Sequence, residues 1–239
     1  MNIQLKALNT LAAGIFFYFV FPTANASTVP EAGKISLQRA TAFEENQGQF
    51  GAHADFVLSG DGFNFRVAPE PIIELYRTER VPANKPLPSE PAAPNADSQS
   101  SSRISDVVRI QREFVGAAPA TAPQGMNAVS GKTNYLIGED QKTWHTGIER
   151  FERVLYADLY PGVDVEYHIT DQMPEYVFHV EPGADANGIA MRFNGAETLS
   201  VTESGALQIR VGAHSFEQRP PVAWQTIDGE RHRVEIAYD

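Results

Sequence analysis

Cysteine is absent from all 239 residues. That absence excludes a disulfide framework and any thiolate metal site, and with them a lipoprotein, which needs a Cys at its cleavage point. Basic residues are few: 19 Lys and Arg stand against 30 Asp and Glu, a formal charge of −11. An excess of that sign repels phosphate backbones and anionic membrane surfaces, so nucleic acid is not an expected partner. The chain also lacks a Gly-x-Ser-x-Gly nucleophile turn, a Gly-x-x-x-x-Gly-Lys-Ser/Thr phosphate loop, a His-Glu-x-x-His pair and an Asp-x-Asp-x-Asp-Gly calcium loop. No internal repeat of useful length occurs.

The N-terminus carries an export pattern. Lys6 supplies a positive charge, Leu11 to Phe21 is almost uninterruptedly apolar, and Ala24-Asn25-Ala26 gives small-x-small spacing. Together these predict a signal peptide over 1–26, cleaved after Ala26, and a secreted, cell-surface or periplasmic product. The apolar run is shorter than the roughly 20 residues a spanning helix needs, so no membrane span is expected after cleavage. A flexible leader over 27–42 follows. With 42% hydrophobic residues the remainder can build a core without disulfides.

From Phe43 onward the chain reads as strands. Phe56-Val57-Leu58 and Phe63 to Val67 flank Ser59-Gly60-Asp61-Gly62 and predict a hairpin. A third strand is predicted over Ile72 to Thr78. Residues 81–102 hold five prolines among Ala, Ser and Asn without apolar periodicity, and predict a long disordered loop. Strand character resumes over Ile104 to Val115. Later, Val163, Val165, Tyr167 and Ile169 alternate with polar residues, as do Tyr176, Phe178 and Val180, and Leu207, Ile209 and Val211. A further strand is predicted from Arg233 to Tyr238. The one helical hint lies around Ala184 to Gly188. Turn signatures separate these runs, and the whole predicts an all-β, antiparallel, β-sandwich-like domain over 43–239.

Candidate chemistry is weighed on that frame. Asp158, Asp164, Glu166 and Glu175 are the carboxylates from which a glycosidase pair could be drawn, with Trp144 or Tyr160 as a sugar platform. Asp164 and Glu166, however, share an outward strand face, and Asp164 after Pro161-Gly162-Val163 suits a strand-start residue that accepts backbone hydrogen bonds. Asp140, Asp158, Asp164 and Asp185 lie near loops and are hard oxygen ligands for calcium, without a spacing that supplies geometry. His168 and His179 could face each other across the hairpin that turns at Asp171 to Pro174, as cross-strand polar partners or as two of the ligands zinc would need. Trp144 and Trp224 read as core or rim aromatics, and Phe43, Tyr135, Tyr160 and Phe178 as core anchors. Asn46-Gln47-Gly48 and Asn194-Gly195 suit positive φ in turns. No catalytic, cofactor-binding or metal-ligating residue is assigned from the residues alone.

Several motifs in order carry a resemblance. Phe43-Glu44-Glu45-Asn46-Gln47-Gly48-Gln49 comes first, then Asn134-Tyr135-Leu136-Ile137-Gly138-Glu139-Asp140 ending at Trp144, then Tyr160 to Asp164, Glu175 to Asp185, and Gln218 to Gly229. In these the chain resembles the N-terminal domain of bacterial proteins that carry SBBP repeats. Val177 stands where that family usually has Asp, and His179 where an apolar residue is common. The resemblance implies an exported or surface-attached β-domain of unassigned activity. The expected function is therefore a non-catalytic surface, adhesive or scaffold module, with other domains or surface glycans as partners and no cofactor. A secreted polysaccharide hydrolase or a carbohydrate-binding domain is the alternative.

Overall fold

Alternation of apolar and polar side chains turns nearly every described segment into a strand. The computed structural model describes residues 2–7, 14–20, 42–52, 54–60, 63–68, 70–81, 101–118, 122–212 and 214–239. The first six strands are β1 (Asn2–Ala7), β2 (Gly14–Val20), β3 (Phe43–Glu45), β4 (Phe56–Gly60), β5 (Phe63–Val67) and β6 (Ile72–Val81). Next come β7 (Ser101–Phe114), β8 (Gln124–Ala128), β9 (Thr133–Tyr135), β10 (His145–Ile148), β11 (Arg150–Tyr160), β12 (Val163–Thr170), β13 (Met173–Val180) and β14 (Ala190–Asn194). The last are β15 (Thr198–Val201), β16 (Leu207–Val211), β17 (His214–Gln218), β18 (Val222–Ile227), β19 (Glu230–Val234) and β20 (Ile236–Tyr238). Two single 3-10 turns, Gln141–Thr143 and Ala186–Gly188, interrupt them.

Every pairing is antiparallel. A meander runs β3–β4–β5–β6–β7 and continues into β14 and β1. At its other edge β3 meets β11, which leads to β12, β13, β2, β18 and β19. The ladder β15–β16–β17 also joins β2, and β20 pairs with β1. The sheet folds over itself and packs face to face. Phe65 meets Tyr167 at 5.4 Å and Phe114 meets Phe178 at 5.6 Å between ring centroids, joining the β5–β7 layer to the β12–β13 layer. That is the sandwich-like, all-β arrangement the periodicity predicts, with no closed barrel.

The inward positions fall where period 2 puts them. Val163, Val165 and Tyr167 are fully buried, as are Phe178 and Leu207. Phe43 and Tyr160 are buried anchors, whereas Tyr135 is only half-buried and packs edge-on against Phe50. Both Asn-Gly elements place their glycine at positive φ, 111° at Gly48 and 93° at Gly195. At Gly195 a Cβ would also sit 3.0 Å from the Arg109 carbonyl oxygen, so glycine is required there twice over.

Several predicted boundaries are corrected. The β6–β7 pair runs further than apolar periodicity suggests, with Arg80 opposite Ser102 and Val81 opposite Ser101. Those residues therefore belong to strands and not to the expected loop over 81–102. The ladder shifts register between Arg77 and Thr78 and continues to Val81. Residues 82–100, the remainder of that loop, lie outside the described residues. The strand predicted over Arg233 to Tyr238 is two strands divided at Glu235, of which β19 pairs with β18 and β20 with β1. A 3-10 turn at Gln141–Thr143, capped by Asp140, went unpredicted because a three-residue turn has no periodicity to read.

The expected export leader contributes two strands to this sheet, β1 and β2, and Ile3 and Leu5 are part of the core. The cleavage point after Ala26 and the flexible leader, up to residue 41, lie outside the described residues. Ala42, the last residue assigned to that leader, is buried.

Candidate functional site

The β12–β13 hairpin collects most of the carboxylates and histidines singled out above. Its register places Asp164 opposite His179, Glu166 opposite Val177 and His168 opposite Glu175. The two histidines are thus at opposite ends of the hairpin and do not face each other. The reason is the turn: a two-residue loop, Asp171–Gln172 with φ of 50° and 64°, fixes Thr170 opposite Met173. The prediction centred the turn further along, which shifts every later pair. Each histidine finds a carboxylate instead. His168 Nε2 lies 3.2 Å from Glu175 Oε2, and His179 Nε2 lies 3.7 Å from Glu166 Oε2. Arg153 of β11 approaches both oxygens of Glu166 at 3.4 Å.

The carboxylates divide by role. Glu166 stands between Arg153 and His179. Glu175 is only 5% exposed, beside His168. Asp164 Oδ1 accepts the backbone N–H of Asp158 at 2.7 Å, holding the positive φ of 53° at Asp158. That is the strand-start role its Pro-Gly-Val context predicts. Asp140 and Asp185 each cap a 3-10 turn, accepting the N–H of Lys142 at 3.0 Å and of Asn187 at 2.9 Å. Of the four candidate calcium aspartates, Asp140, Asp164 and Asp185 thus accept three separate local backbone bonds, and Asp158 enters through its backbone N–H. Among the described residues, no three His, Asp or Glu side chains converge as a metal site would need.

A second polar group, unpredicted, lies inside the sandwich. Arg112 is fully buried; its Nη2 donates to Tyr167 Oη at 2.7 Å, and its guanidinium stands 4.1 Å from the Tyr176 ring centroid and 4.9 Å from that of Phe114. Gln218, also fully buried, donates through Nε2 to Tyr176 Oη and Tyr238 Oη, each at 2.6 Å. Burial raises the pKa of Tyr156, Tyr167, Tyr176 and Tyr238, the nearby Arg112 opposing it in the last three. Tyr160, whose hydroxyl donates to the Val115 and Ala190 carbonyls, is pushed up to about 12 by burial. These phenols stay neutral at ordinary pH and serve as donors and acceptors, not as acids. The sequence did hold a signal for Arg112: it shares period-2 parity with Val108, Ile110 and Phe114, all buried.

A third arrangement joins two motifs that are far apart in the chain. Asn46 ties the loop after β3, its Nδ2 donating to the Gly51 and Ala54 carbonyls at 2.6 Å, its Oδ1 accepting from Gly48 and Phe50. That loop abuts the β9–β10 hairpin. Thr133 donates to Glu44 Oε1 at 2.6 Å, Tyr135 donates to Glu44 Oε2, and a Cβ at Gly48 would meet His145 at 3.2 Å. The hairpin's tip is stiffened by Thr143 Oγ1 donating to the Ile137 and Asp140 carbonyls and by Trp144 Nε1 donating to Gly138 O at 3.1 Å. It holds Leu136 and Ile137 outward at 58% and 68% exposure. Trp144 is thus a brace at the rim. Trp224 is half-buried beside Arg231 in a cleft of about 360 Å³ lined by Val222, Ala223 and Arg233, which contains none of the four candidate carboxylates.

Together these features define an antiparallel, sandwich-like β-domain with an aromatic and polar core and a rigid apolar tip. Among the described residues no helix is long and apolar enough to cross a membrane. The chain belongs to the family described as a domain of unknown function, DUF7948, which matches residues 43–239. No curated protein and no solved structure matches it.

Proposed function

We propose that the chain is an exported, non-catalytic surface module that engages another protein domain through the Leu136–Ile137 tip. By its ordered motifs it is an N-terminal domain of the SBBP-repeat type. One observation carries this reading: two adjacent large apolar side chains are held in water by a loop whose bonds all serve to hold it. Contiguous exposed apolar surface marks interaction sites, and these two neighbouring side chains are the most exposed large hydrophobics among the described residues. Asp164, Glu166 and Glu175 support the non-catalytic reading, since each carboxylate has a local partner. Carbohydrate binding without turnover is a second reading, favoured by the Trp224 cleft.

The test begins with the full chain expressed in a bacterial host. The exported product is expected to start at Ser27 and to hold its host cells to a partner-coated surface when displayed on them. Leu136→Asp with Ile137→Asp is expected to reduce that retention at least several-fold while leaving the fold intact by circular dichroism. Release of reducing sugar from a polysaccharide panel, abolished by Glu166→Gln or Glu175→Gln, would instead establish a hydrolase. Binding on a glycan array that Trp224→Ala removes would support the second reading.

A further inference from the structure

The β18–β19 hairpin gathers an indole and two guanidinium groups on one face. Ala223 and Val234 stand opposite each other and are buried, so the residues that alternate with them face outward. Val222 and Trp224 share that outward face with Arg231 and Arg233, and Trp224 lies directly opposite Arg233. With Ala223 they line the cleft of about 360 Å³, near the lower end of the ~300–1,000 Å³ of small-ligand sites. The guanidinium carbon of Arg231 lies 4.8 Å from the Trp224 ring centroid. The ring attracts a guanidinium so placed, whose N–H donors lie in its own plane and point past the ring. Among the described residues neither Arg231 nor Arg233 forms an ion pair, whereas Arg66, Arg109, Arg153 and Arg192 each hold a glutamate. No carboxylate is among the described residues that line the cleft. In a chain of net charge −11 it is a basic site.

We propose, resting on the carbohydrate reading above, that this cleft binds an acidic polysaccharide and takes the carboxylate of a uronic-acid residue on Arg231 and Arg233. The two arginines are two residues apart on one strand, about 6.7 Å between Cα atoms, so both long side chains reach one carboxylate. The guanidinium fork matches a planar carboxylate in two parallel hydrogen bonds. Val222, Ala223 and the indole supply apolar wall for the C–H face of a sugar ring. A uronic acid carries both features on one rigid unit. An acidic peptide brings its carboxylate on a flexible stem, which costs entropy to order. Nucleic acid packs its charges far more densely, and the acidic chain repels it. Charged side chains on β19, which pairs only with β18 among the described residues, also deter edge-to-edge pairing. That role needs charge alone, neither the fork nor the stack on Trp224. All the lining residues belong to β18 and β19, so they are retained whether or not the leader is cleaved.

Affinity electrophoresis of the protein expressed from the full chain tests this. The gels hold polygalacturonate, alginate or hyaluronate, each beside its methyl-esterified form, which keeps the rings and loses the charge. At least one free acid is expected to retard the protein, with affinity about tenfold or more above that for its ester. Arg231→Gln with Arg233→Gln is expected to weaken that binding about tenfold or more while circular dichroism is unchanged. Arg231→Lys with Arg233→Lys keeps both charges and loses the fork, and should also bind several-fold more weakly. A Lys variant that binds as well as the parent would reduce the effect to general charge attraction and overturn the site. Equal binding of acid and ester, abolished by Trp224→Ala, would overturn the preference for an acid and leave the carbohydrate reading standing. So would binding of neutral glycans alone. Failure to bind any polysaccharide, acidic or neutral, would overturn both. Poly-glutamate bound as tightly as the best free acid, and lost in the Gln variant, would assign the cleft to acidic peptides instead.

Discussion

At Gln218 a single amide ties together three strands. Its Nε2 serves Tyr176 on β13 and Tyr238 on β20, and each hydroxyl passes its own proton onward, to Met191 Sδ at 3.3 Å and to Arg219 O at 3.0 Å. Gln218→Leu keeps the volume and deletes both donors. It also deletes Oε1, which is buried without a partner, and that loss partly offsets the damage. Two buried neutral hydrogen bonds contribute about 1–3 kcal/mol in all, so the expected net destabilisation is about 1–2 kcal/mol by urea denaturation. Tyr176→Phe in the same background should add less than it costs alone, because the two changes delete one shared bond. A Leu variant as stable as the parent would show the network to be passive. Little of this was legible in the sequence. Parity marks Arg112 as inward, but nothing in the order of residues says that Tyr167, Tyr176, Gln218 and Tyr238 meet. Glu74 is the converse case. It lies on the outward parity yet is only 3% exposed, because Arg66 and Arg109 close over it at 3.2 and 2.5 Å. Burial by long side chains of neighbouring strands has no period to detect.

Among the elements, the β12–β13 hairpin shows where reading and structure part. Its strands were legible because Val163, Val165 and Tyr167 alternate cleanly and Asp171 marks the turn. The register was not, since it depends on which two residues take positive φ. Asp171 and Gln172 do so, and a type I′ loop follows, whose twist suits the flanking strands. Asp tolerates that conformation; Gln gains nothing local from it. Gln172→Gly should therefore relieve about 0.5–1 kcal/mol of backbone strain, and Gln172→Val should add a similar amount. In a chain of this size that corresponds to a melting temperature roughly 1–4 °C higher for Gly and lower for Val. Equal melting temperatures would mean that the loop is not held in the left-handed region. Either way the pairing of His168 with Glu175 follows from this loop and not from any attraction between the two histidines.

Taken as a whole, the molecule depends on tyrosine as much as on aliphatic packing. The motifs at 43–49 and 134–144 converge through Glu44 and Gly48 to build the apolar tip, a contact between segments some ninety residues apart that one sequence cannot reveal. The layers themselves close on Tyr156, Tyr160, Tyr167, Tyr176 and Tyr238, all buried and all with raised pKa. This has a consequence at high pH whose direction is fixed. The folded state keeps these five protons where the unfolded chain, with phenols titrating near 10, releases them. Stability is therefore intact below about pH 10 and falls as pH rises beyond it, by up to about 1.4 kcal/mol per pH unit for each phenol. For Tyr160 the penalty stops growing near its folded value of about 12. Five such groups exceed the stability of an ordinary domain within roughly two pH units. Tyrosinate absorbance at 295 nm should thus rise for the exposed tyrosines first. It should then rise abruptly, together with loss of the β-sheet circular dichroism signal, between about pH 11 and 12. Smooth ionisation of all eight tyrosines with the sheet signal intact would mean that the phenols are not enclosed, and the core described above would be wrong.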